Sequence, residues 1–323
     1  MAVAWGYNLA VYKAFILSLR QTAGYDGDAV LLAPALNRTR PEAVDLCTSY
    51  NVRLLDFWQL PGLAYAKGGM PPFMMGERFR MYSALCRAPY TWCLAVDFRD
   101  VFFQTNPFEH VMRVDPDTVT GPELVLPLED RVIGTCTING PMIRRCFGKD
   151  VLREIGNRSV LCSGVILGTP SAYAALRIIG SLVHSCPMDK MSDQASLNYA
   201  ILSHEGWSKL SAELAKHEGA RPRGPLRVLM ETRGAGFANT VGSFKGADRT
   251  MQFEREHMRD GLILNNDHSV SPVVHQYDRL LKSTGPGAVH LNMGKSDRML
   301  QLKAINDALG GPRANASWLP AGA

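Results

Sequence analysis

The sequence lacks the features that mark membrane, zinc-ribbon and nucleic-acid-binding proteins. No run of about 18 or more apolar residues occurs, so we expect no segment that spans a bilayer. The 7 cysteines include no C-x-x-C pair, which argues against a zinc ribbon or a redox motif, and their odd number leaves at least one thiol free. No dense block of Lys and Arg argues for a nucleic-acid partner.

The N-terminal segment MAVAWGYNLAVYKAFILSLRQTAG has the apolar content of a signal peptide but not its organisation. It lacks a basic n-region, and Lys13 and Arg20 interrupt its apolar residues, so we interpret it as part of the fold. We therefore expect a soluble protein, either cytoplasmic or the excised catalytic part of a lumenal Golgi or ER protein. The sequons at Asn37, Asn157 and Asn315 would matter only in that lumen.

Size and composition favour a globular protein with a substantial core. The chain has 323 residues, of which 46% are hydrophobic, enough for one large α/β domain or two small ones. The net charge of +5 is a mild basic bias that suits anionic small molecules as well as polyanions. The sequence contains no internal repeat and no low-complexity tract, so one domain with a less regular C-terminal half is the simplest organisation.

Predicted strands alternate with predicted helices over the first hundred residues. The strands are predicted at residues 3–5, 29–33, 52–57 and 91–96, and helices follow the first three of them. This alternation predicts a mainly parallel sheet with right-handed crossovers. A Gly- and Pro-rich stretch at 61–76 predicts a long loop before a helix at 77–86. Later elements are strands at 124–128, 160–167, 271–278 and 287–292, and helices at 170–183 and from 192.

Two carboxylates stand at the end of the fourth predicted strand. Asp97 and Asp100 flank Arg99 between two apolar runs, where they would be costly to bury unpaired. We expect them at the exit of the strand, paired with each other or with a ligand, which is where α/β proteins place their chemistry. Carboxylate oxygens are the ligands that Mg²⁺ and Mn²⁺ prefer. The alternative is that one carboxylate caps a turn while Arg99 pairs with a neighbour.

Several short motifs follow one another in a recognisable order. They are Ser18-Leu-Arg, Arg78-Phe with Tyr82, Asp97-Phe-Arg-Asp-Val-Phe-Phe-Gln with Asn-Pro-Phe, Cys162-Ser-Gly with Gly168, Asp193-Gln with Asn198, and His275-Gln-Tyr-Asp-Arg. This order, which covers roughly residues 3–280, resembles a family of GT-A-fold glycosyltransferases. The Asp-x-Arg-Asp-Val and His-Gln-Tyr-Asp-Arg elements are the specific part of the resemblance.

The resemblance implies a fold and a reaction. The fold would be α/β of the GT-A type, a Rossmann-like, mainly parallel mixed sheet flanked by helices. One catalytic domain would cover 1–323, with a nucleotide-binding half at 1–110, a donor-sugar and acceptor half at 111–300 and a C-terminal tail at 301–323. The reaction would move a sugar from a UDP- or GDP-sugar to a hydroxyl of a glycan or other acceptor, with Mn²⁺ or Mg²⁺ as cofactor.

The resemblance also assigns roles to individual residues. The metal ligands would be Asp97, Asp100 and His275, although the D-x-x-D spacing is one residue longer than the family's D-x-D and leaves the main carboxylate ligand open. His290, near Lys295, is a rival to His275. The donor-binding residues would be Asn8, Arg78, Asp97, Ser163, Gly164 and Arg279, and the catalytic residues would be Asp193 and Gln194.

Each of these residues also has a structural interpretation. Arg78 and Arg80 could be surface charges on an amphipathic helix, and Ser163-Gly164 could be a β-bulge. Asp193 could merely complement the charge of a helix N-terminus, a contribution of about 0.3–1 kcal/mol. A lone histidine such as His275 is more often structural than a ligand.

Two other functions remain open at this stage. A catalytically inactive GT-A-like domain would bind a glycan or nucleotide without turnover, and a nucleotidyltransferase would use a similar sheet. Within the transferase hypothesis we favour retention of the anomeric configuration. Asp193 at a helix N-terminus is favoured as a carboxylate, which suits holding sugar hydroxyls better than acting as a strong base, and Gln194 would face the reaction centre.

Overall fold

The computed structural model of the protein describes residues 1–33, 39–60, 74–109, 123–184, 186, 192–217, 224–243, 252–253, 255–259 and 262–277. Several predictions lie outside these residues, namely the strand at 287–292, the tail at 301–323, Asn37, Arg279, His290, Lys295 and Asn315. Within the described part of the chain, no helix combines the length and apolar character needed to cross a bilayer.

Strands and helices alternate along the described chain. The strands are β1 (Ala2–Val3), β2 (Ala29–Ala33), β3 (Val52–Asp56), β4 (Cys93–Val96), β5 (Val101–Phe103), β6 (Glu123–Val132), β7 (Ser159–Leu161), β8 (Val165–Gly168), β9 (Arg227–Glu231), β10 (Ala238–Thr240), β11 (Met258–Arg259), β12 (Leu262–Ile263) and β13 (Val273–His275). The helices are α1 (Leu9–Leu17), α2 (Pro41–Ser49), α3 (Met74–Leu85), α4 (Asn139–Phe147), α5 (Lys149–Ile155), α6 (Pro170–His184), α7 (Ser192–Leu202) and α8 (His204–His217).

An eight-stranded mixed sheet organises the fold. Its order is β3-β2-β1-β4-β8-β6-β7, and β9 pairs with β6. Strands β3, β2, β1 and β4 are parallel, β8 runs antiparallel to both of its neighbours, and β9 is parallel to β6. The predicted α/β class, with a mainly parallel mixed sheet flanked by helices, is confirmed. The division at residue 110 stays a prediction.

Both faces of the sheet are buried, because successive side chains of a strand point to opposite faces. Leu31 and Val96 belong to the core that contains α1 and α2, whereas Leu32 and Ala95 belong to the core that contains α3 and α6. Continuous apolar runs such as AVLLA in β2 are the sequence pattern of a strand covered on both sides. The helices therefore form a layer on each face.

The predicted single strand over 160–167 is wrong. The chain forms β7 and β8 instead, and Cys162, Ser163 and Gly164 separate them. Leu161 pairs with Leu128 of β6, whereas β8 pairs with β4 and with the first part of β6. The backbone changes its pairing here: the N–H of Cys162 still donates to Pro127 of β6, whereas the carbonyl oxygen of Gly164 already accepts from Asp97 at the end of β4.

A second, three-stranded sheet lies beside the main one. Its order is β10-β13-β5, and β13 is parallel to β10 and antiparallel to β5. Val101–Phe103 forms β5 and pairs with β13. His275 lies opposite Val101 in this register, so the second sheet brings a late segment of the chain to the end of β4.

Helix α3 begins at Met74, three residues before the predicted start at 77, and it crosses α6 at two glycines. A Cβ at Gly180 would lie 2.9 Å from the carbonyl oxygen of Gly76, and a Cβ at Gly76 would lie 2.7 Å from Cβ of Val183. Neither position can carry a side chain without displacing the other helix. The two glycines therefore set how closely α3 approaches α6.

Two disulfides and one sequon bear on the compartment of the protein. Cys86 is bonded to Cys93, which ties the end of α3 to the start of β4, and Cys146 is bonded to Cys186. The other three cysteines, all within the described residues, are buried free thiols, which confirms that at least one thiol stays unpaired. Asn157 lies in an exposed turn between α5 and β7. The compartment itself stays a prediction.

The Gly76–Gly180 crossing predicts a strong position effect on stability. Gly180→Leu should lower the free energy of unfolding by about 1–3 kcal/mol, because overpacking forces the two helices apart. Ser181→Leu, at the exposed neighbouring position, should change it by less than about 0.5 kcal/mol. Urea unfolding measured by circular dichroism separates the two variants. Equal stabilities of the two variants would contradict a close crossing.

Candidate active site

The candidate site lies at the carboxyl end of β4. Asp97 directly follows Val96, and the backbone N–H of Asp97 donates to the carbonyl oxygen of Gly164 at 2.7 Å. This contact continues the antiparallel register of β4 and β8 by one residue beyond the Val96–Val165 pair. Because β1 to β4 are parallel, their carboxyl ends share one edge of the sheet, where open α/β proteins bind ligands.

Asp97, Asp100 and His275 form a cluster of metal-ligating side chains. One ligand atom of each lies within 4.8 Å of those of the other two. His275 Nε2 is 3.3 Å from Asp97 Oδ2, and the backbone N–H of Gln276 donates to the carbonyl oxygen of Asp100 at 2.7 Å. The three residues that the resemblance implies as ligands are thus brought together. Two carboxylates and one imidazole are a donor set that fits Mn²⁺.

Gly164 leaves the space in which this cluster sits. A Cβ at this position would lie 2.5 Å from His275 Nε2 and 2.7 Å from Asp97 Oδ2. Both distances are shorter than real Cβ contacts allow, so any side chain here would push the two ligating groups apart. The glycine is required by the close approach of side chains rather than by its own backbone conformation.

His275 is held in place on both sides of its ring. Its Nδ1 lies 3.2 Å from Cys162 Sγ, and its side chain is only 2% exposed. Burial lowers the pKa of His275, but the neighbouring Cys162 and the hydrogen bond to Asp97 outweigh it, so this pKa is raised well above its ordinary value. A partner on the far nitrogen fixes the ring orientation of a ligating histidine. Cys162 occupies that position here.

Arg78 joins two carboxylates at the centre of the site. Its guanidinium is ion-paired with Asp97 and Asp193, and it donates to the backbone oxygen of Ser163 at 3.0 Å and to its Oγ at 3.1 Å. The arginine side chain is only 9% exposed. The alternative that Arg78 is a surface charge is therefore wrong. Arg80, which pairs with Glu77 at 2.9 Å, is partly exposed.

This pairing keeps both partners charged. Burial lowers the pKa of Arg78, but Asp193 and Asp97 outweigh that effect and raise it above its ordinary value. Burial raises the pKa of Asp97, but Arg78 and His275 outweigh the effect of burial. The pKa of Asp97 therefore lies well below its usual range. Asp97 is therefore a carboxylate with two accepting oxygens, as metal ligation requires.

Asp193 retains one oxygen for a ligand. The residue lies in the first turn of α7, its side chain is 2% exposed, and Oδ2 is the atom bound to Arg78. Among the described residues, Oδ1 has no hydrogen-bond partner. A buried carboxylate oxygen without a partner is costly, so a group that binds there would be favoured.

Gln194 and Asn198 attach α7 to β7. Asn198 accepts the N–H of Leu161 at 2.9 Å and donates to the carbonyl oxygen of Leu161 at 3.1 Å. Gln194 Nε2 donates to the same carbonyl at 3.2 Å and to Glu129 Oε1 at 2.7 Å. Residues 192–200 are all buried, so this part of the helix has no solvated face. The hydrogen bonds of Gln194 and Asn198 offset the cost of burying their side-chain amides.

The structure adds three residues that the sequence analysis does not assign to the site. They are Glu129, Cys162 and Tyr7, and Tyr7 lies near the charges of Arg99 and Asp97. Burial raises the pKa of Tyr7, so its hydroxyl stays a hydrogen-bond donor. Glu129 follows an apolar run in β6 and reads in the sequence as a solvated strand end. The only sequence feature that points to Cys162 as a site residue is its position directly before Ser163-Gly164.

The donor-binding role stays a prediction for all six residues, Asn8 and Arg279 included. Asn8 Oδ1 accepts the N–H of Val11 at 3.2 Å and so caps α1, which places the residue just beyond β1 at the same edge of the sheet. Arg279 lies outside the described residues. Tyr82, one turn from Arg78 on α3, is buried, and its hydroxyl is 3.5 Å from the carbonyl oxygen of Val96.

Comparison with known proteins finds no family model that matches the chain. No curated protein is similar enough in sequence to count as a relative. Among solved structures, the glucosyl-3-phosphoglycerate synthase of Mycobacterium tuberculosis is similar at 14% identity and a TM-score of 0.36, covering 72% of this chain and 70% of that one. Mouse xyloside xylosyltransferase 1 is similar at 10% identity and a TM-score of 0.38, covering 86% and 98%. Similarity this distant establishes neither family nor function.

The buried ion pairs predict a large cost for removing the arginine. Arg78→Met should lower the free energy of unfolding by about 3–5 kcal/mol, because it leaves two carboxylates buried without their counter-ion. Arg153→Met is the matched control, since Arg153 pairs with Asp150 at the surface, and it should cost at most about 1 kcal/mol. Chemical denaturation gives both values. Similar costs would show that Arg78 is not the counter-ion that the site requires.

Proposed function

We propose that the protein is a glycosyltransferase that moves a sugar from a UDP- or GDP-sugar to a hydroxyl group of a glycan or other acceptor. The observation that carries the proposal is the Asp97, Asp100 and His275 cluster at the carboxyl edge of a parallel sheet. It lies beside Asp193, a buried carboxylate with an oxygen left for a ligand. A nucleotide-diphosphate sugar needs a metal ion beside its diphosphate and hydrogen-bond acceptors for its sugar hydroxyl groups. The cluster of metal-ligating side chains and the free oxygen of Asp193 would supply these at one site.

The cofactor in this proposal is Mn²⁺, or Mg²⁺ in its place. The donor atoms of Asp97, Asp100 and His275 lie within 4.8 Å of one another, which fits ligands around one divalent ion after a small closure. The imidazole favours Mn²⁺ over Mg²⁺. When bound, the ion supplies the charge that stabilises the departing diphosphate. Either carboxylate can serve as its main ligand.

The protein's own residues position the donor. Arg78 holds Asp97 and Asp193 by one oxygen each, so it orients the two acidic groups on either side of Ser163. In the proposal, Ser163 and Gly164 border the donor sugar, and Asn8 and Arg279 contribute contacts to the nucleotide part. The site is organised before the donor arrives, which lowers the ordering cost at the moment of reaction.

We further propose that transfer proceeds with retention. Asp193 Oδ1 would accept hydrogen bonds from hydroxyl groups of the donor sugar, because its other oxygen is held by Arg78. Gln194, the next residue, would face the anomeric carbon with its weakly nucleophilic amide. Asp193 is then a substrate-binding residue rather than the base that an inverting reaction requires.

The metal proposal predicts a metal-dependent stabilisation by nucleotide. UDP or GDP should raise the melting temperature more in Mn²⁺ than in EDTA, since binding to the folded state adds about 2.7 kcal/mol at one hundred times Kd. His275→Ala should abolish the Mn²⁺-dependent part, and Gly164→Ala should weaken it by displacing the His275 ring. His204→Ala, at an exposed histidine, serves as the control. Equal shifts in Mn²⁺ and EDTA would contradict the proposal.

Product analysis separates this reaction from its rivals. A transferase should hydrolyse its donor slowly and only with metal, releasing the nucleoside diphosphate. A binding protein would show the thermal shift without any product, and a nucleotidyltransferase would release pyrophosphate from a nucleoside triphosphate. A thermal shift without product would show a binding protein, and release of pyrophosphate would show a nucleotidyltransferase. Either result would contradict the proposed glycosyltransferase.

The role proposed for Asp193 predicts a selective loss of turnover. Asp193→Asn should lower kcat by about 100-fold, which corresponds to a lost transition-state contact of about 2.7 kcal/mol, and should leave nucleotide affinity nearly unchanged. Asp150→Asn, at an exposed carboxylate, is the matched control. Turnover and calorimetric binding measure the two effects. Full activity of Asp193→Asn, or an inverted anomeric centre in the product by NMR, would refute the assignment.

A further inference from the structure

We infer that Glu129 is a positioning residue for catalysis, which acts by fixing the side-chain amide of Gln194; the inference rests on the proposed function. Glu129 lies in β6, after the segment that pairs with β8, and is partly exposed. Its Oε1 accepts a hydrogen bond from Gln194 Nε2 at 2.7 Å. No motif in the sequence joins these two residues, which are 65 positions apart.

The chemistry of the contact determines which way the amide points. A carboxylate and a peptide carbonyl can only accept hydrogen bonds, and Gln194 has both beside it, Glu129 at 2.7 Å and Leu161 at 3.2 Å. Both partners therefore require the NH₂ group, and the amide orientation follows from them. The carbonyl oxygen of Gln194 is the atom left to face a ligand.

The backbone of β6 accounts for the placement of Glu129. The ladder between β6 and β7 is regular at Leu128 and Leu161, and its register shifts before the next pair at Val132 and Ser159. Such irregularities re-aim side chains relative to a regular strand. Glu129 is the first residue after the regular pair. Its side chain thereby points toward α7, where it contacts Gln194.

A charged partner gives Gln194 more than orientation. A hydrogen bond to an ionised acceptor is roughly twice as strong as a neutral one, and it polarises the group that donates it. The negative charge of Glu129 therefore increases the electron density at the carbonyl oxygen of Gln194. An oxygen of that kind stabilises the positive charge that develops at an anomeric carbon when the diphosphate leaves.

The rival role for Glu129 is direct contact with the acceptor as a base. The two roles differ in their dependence on Gln194 and on charge. A positioning residue loses its effect when Gln194 is absent, and a neutral acceptor of the same shape replaces it in part. A base would act without Gln194, and replacing its carboxylate by an amide would be as damaging as removing it.

The test is a double-mutant cycle on the full chain, with Glu129→Ala, Glu129→Gln, Gln194→Ala and the Glu129→Ala/Gln194→Ala pair. Glu129→Ala should lower kcat for donor turnover about 10-fold and leave the donor KM within about twofold, as expected for an interaction of the transition state. Glu129→Gln should recover most of the loss. The double variant should be no slower than Gln194→Ala. Asp130→Ala, the exposed next residue of β6, is the control.

Additive losses in the double variant, or a Glu129→Gln variant as slow as Glu129→Ala, would overturn the inference. A second measurement does not depend on activity. The side-chain amide protons of Gln194, assigned by their loss in Gln194→Ala, should exchange slowly in the wild type and in Glu129→Gln but faster in Glu129→Ala. If the wild type turns over no donor, the proposed function fails while this NMR result still decides the positioning. Unchanged amide exchange in a folded Glu129→Ala would overturn it.

Discussion

The arrangement of the site depends on one buried cation. Arg78 lies between Asp97 and Asp193, two carboxylates that would repel each other in a buried environment without it. It comes from α3, which packs closely against α6 at the Gly76–Gly180 crossing. The packing of two glycines therefore contributes to placing the guanidinium between the two carboxylates. The ion pairs of Arg78 with Asp97 and Asp193 therefore stabilise the fold and also position the carboxylates of the candidate site.

The two carboxylates and the imidazole of the site come from three separate parts of the fold. Asp97 leaves β4 of the main sheet, His275 ends β13 of the second sheet, and Asp193 begins α7. Asn198 bonds α7 to the backbone of Leu161, directly before the segment that separates β7 from β8. Each side chain of the candidate site thus comes from or directly follows a regular element. Such support gives a site the rigidity that electrostatic stabilisation of a transition state requires.

The sequence predicts the acidic and basic centre better than its surroundings. Asp97 is predictable because a carboxylate at the end of a buried strand is costly unless it serves a ligand. The split between β7 and β8 is not predictable from the apolar run, because β7 pairs with β6 and β8 pairs with β4, and both partners come from distant segments. Glu129 is missed for the same reason. Local sequence patterns predict helices and strands. The contacts that support the site join residues far apart in the sequence, so they form only when the helices and strands pack together.

The second sheet has a consequence for how the active protein is made. Asp97 and His275 are 178 positions apart in the chain, yet their side chains are in contact. Closing a loop of that length comes late in folding, after the local α/β units have formed. During synthesis, the first parallel strands can assemble on the ribosome well before β13 has emerged. The nascent chain therefore carries Asp97 long before His275, which lies 178 positions later, has been added, so that partly made chains have the first parallel strands but not the complete cluster of three side chains.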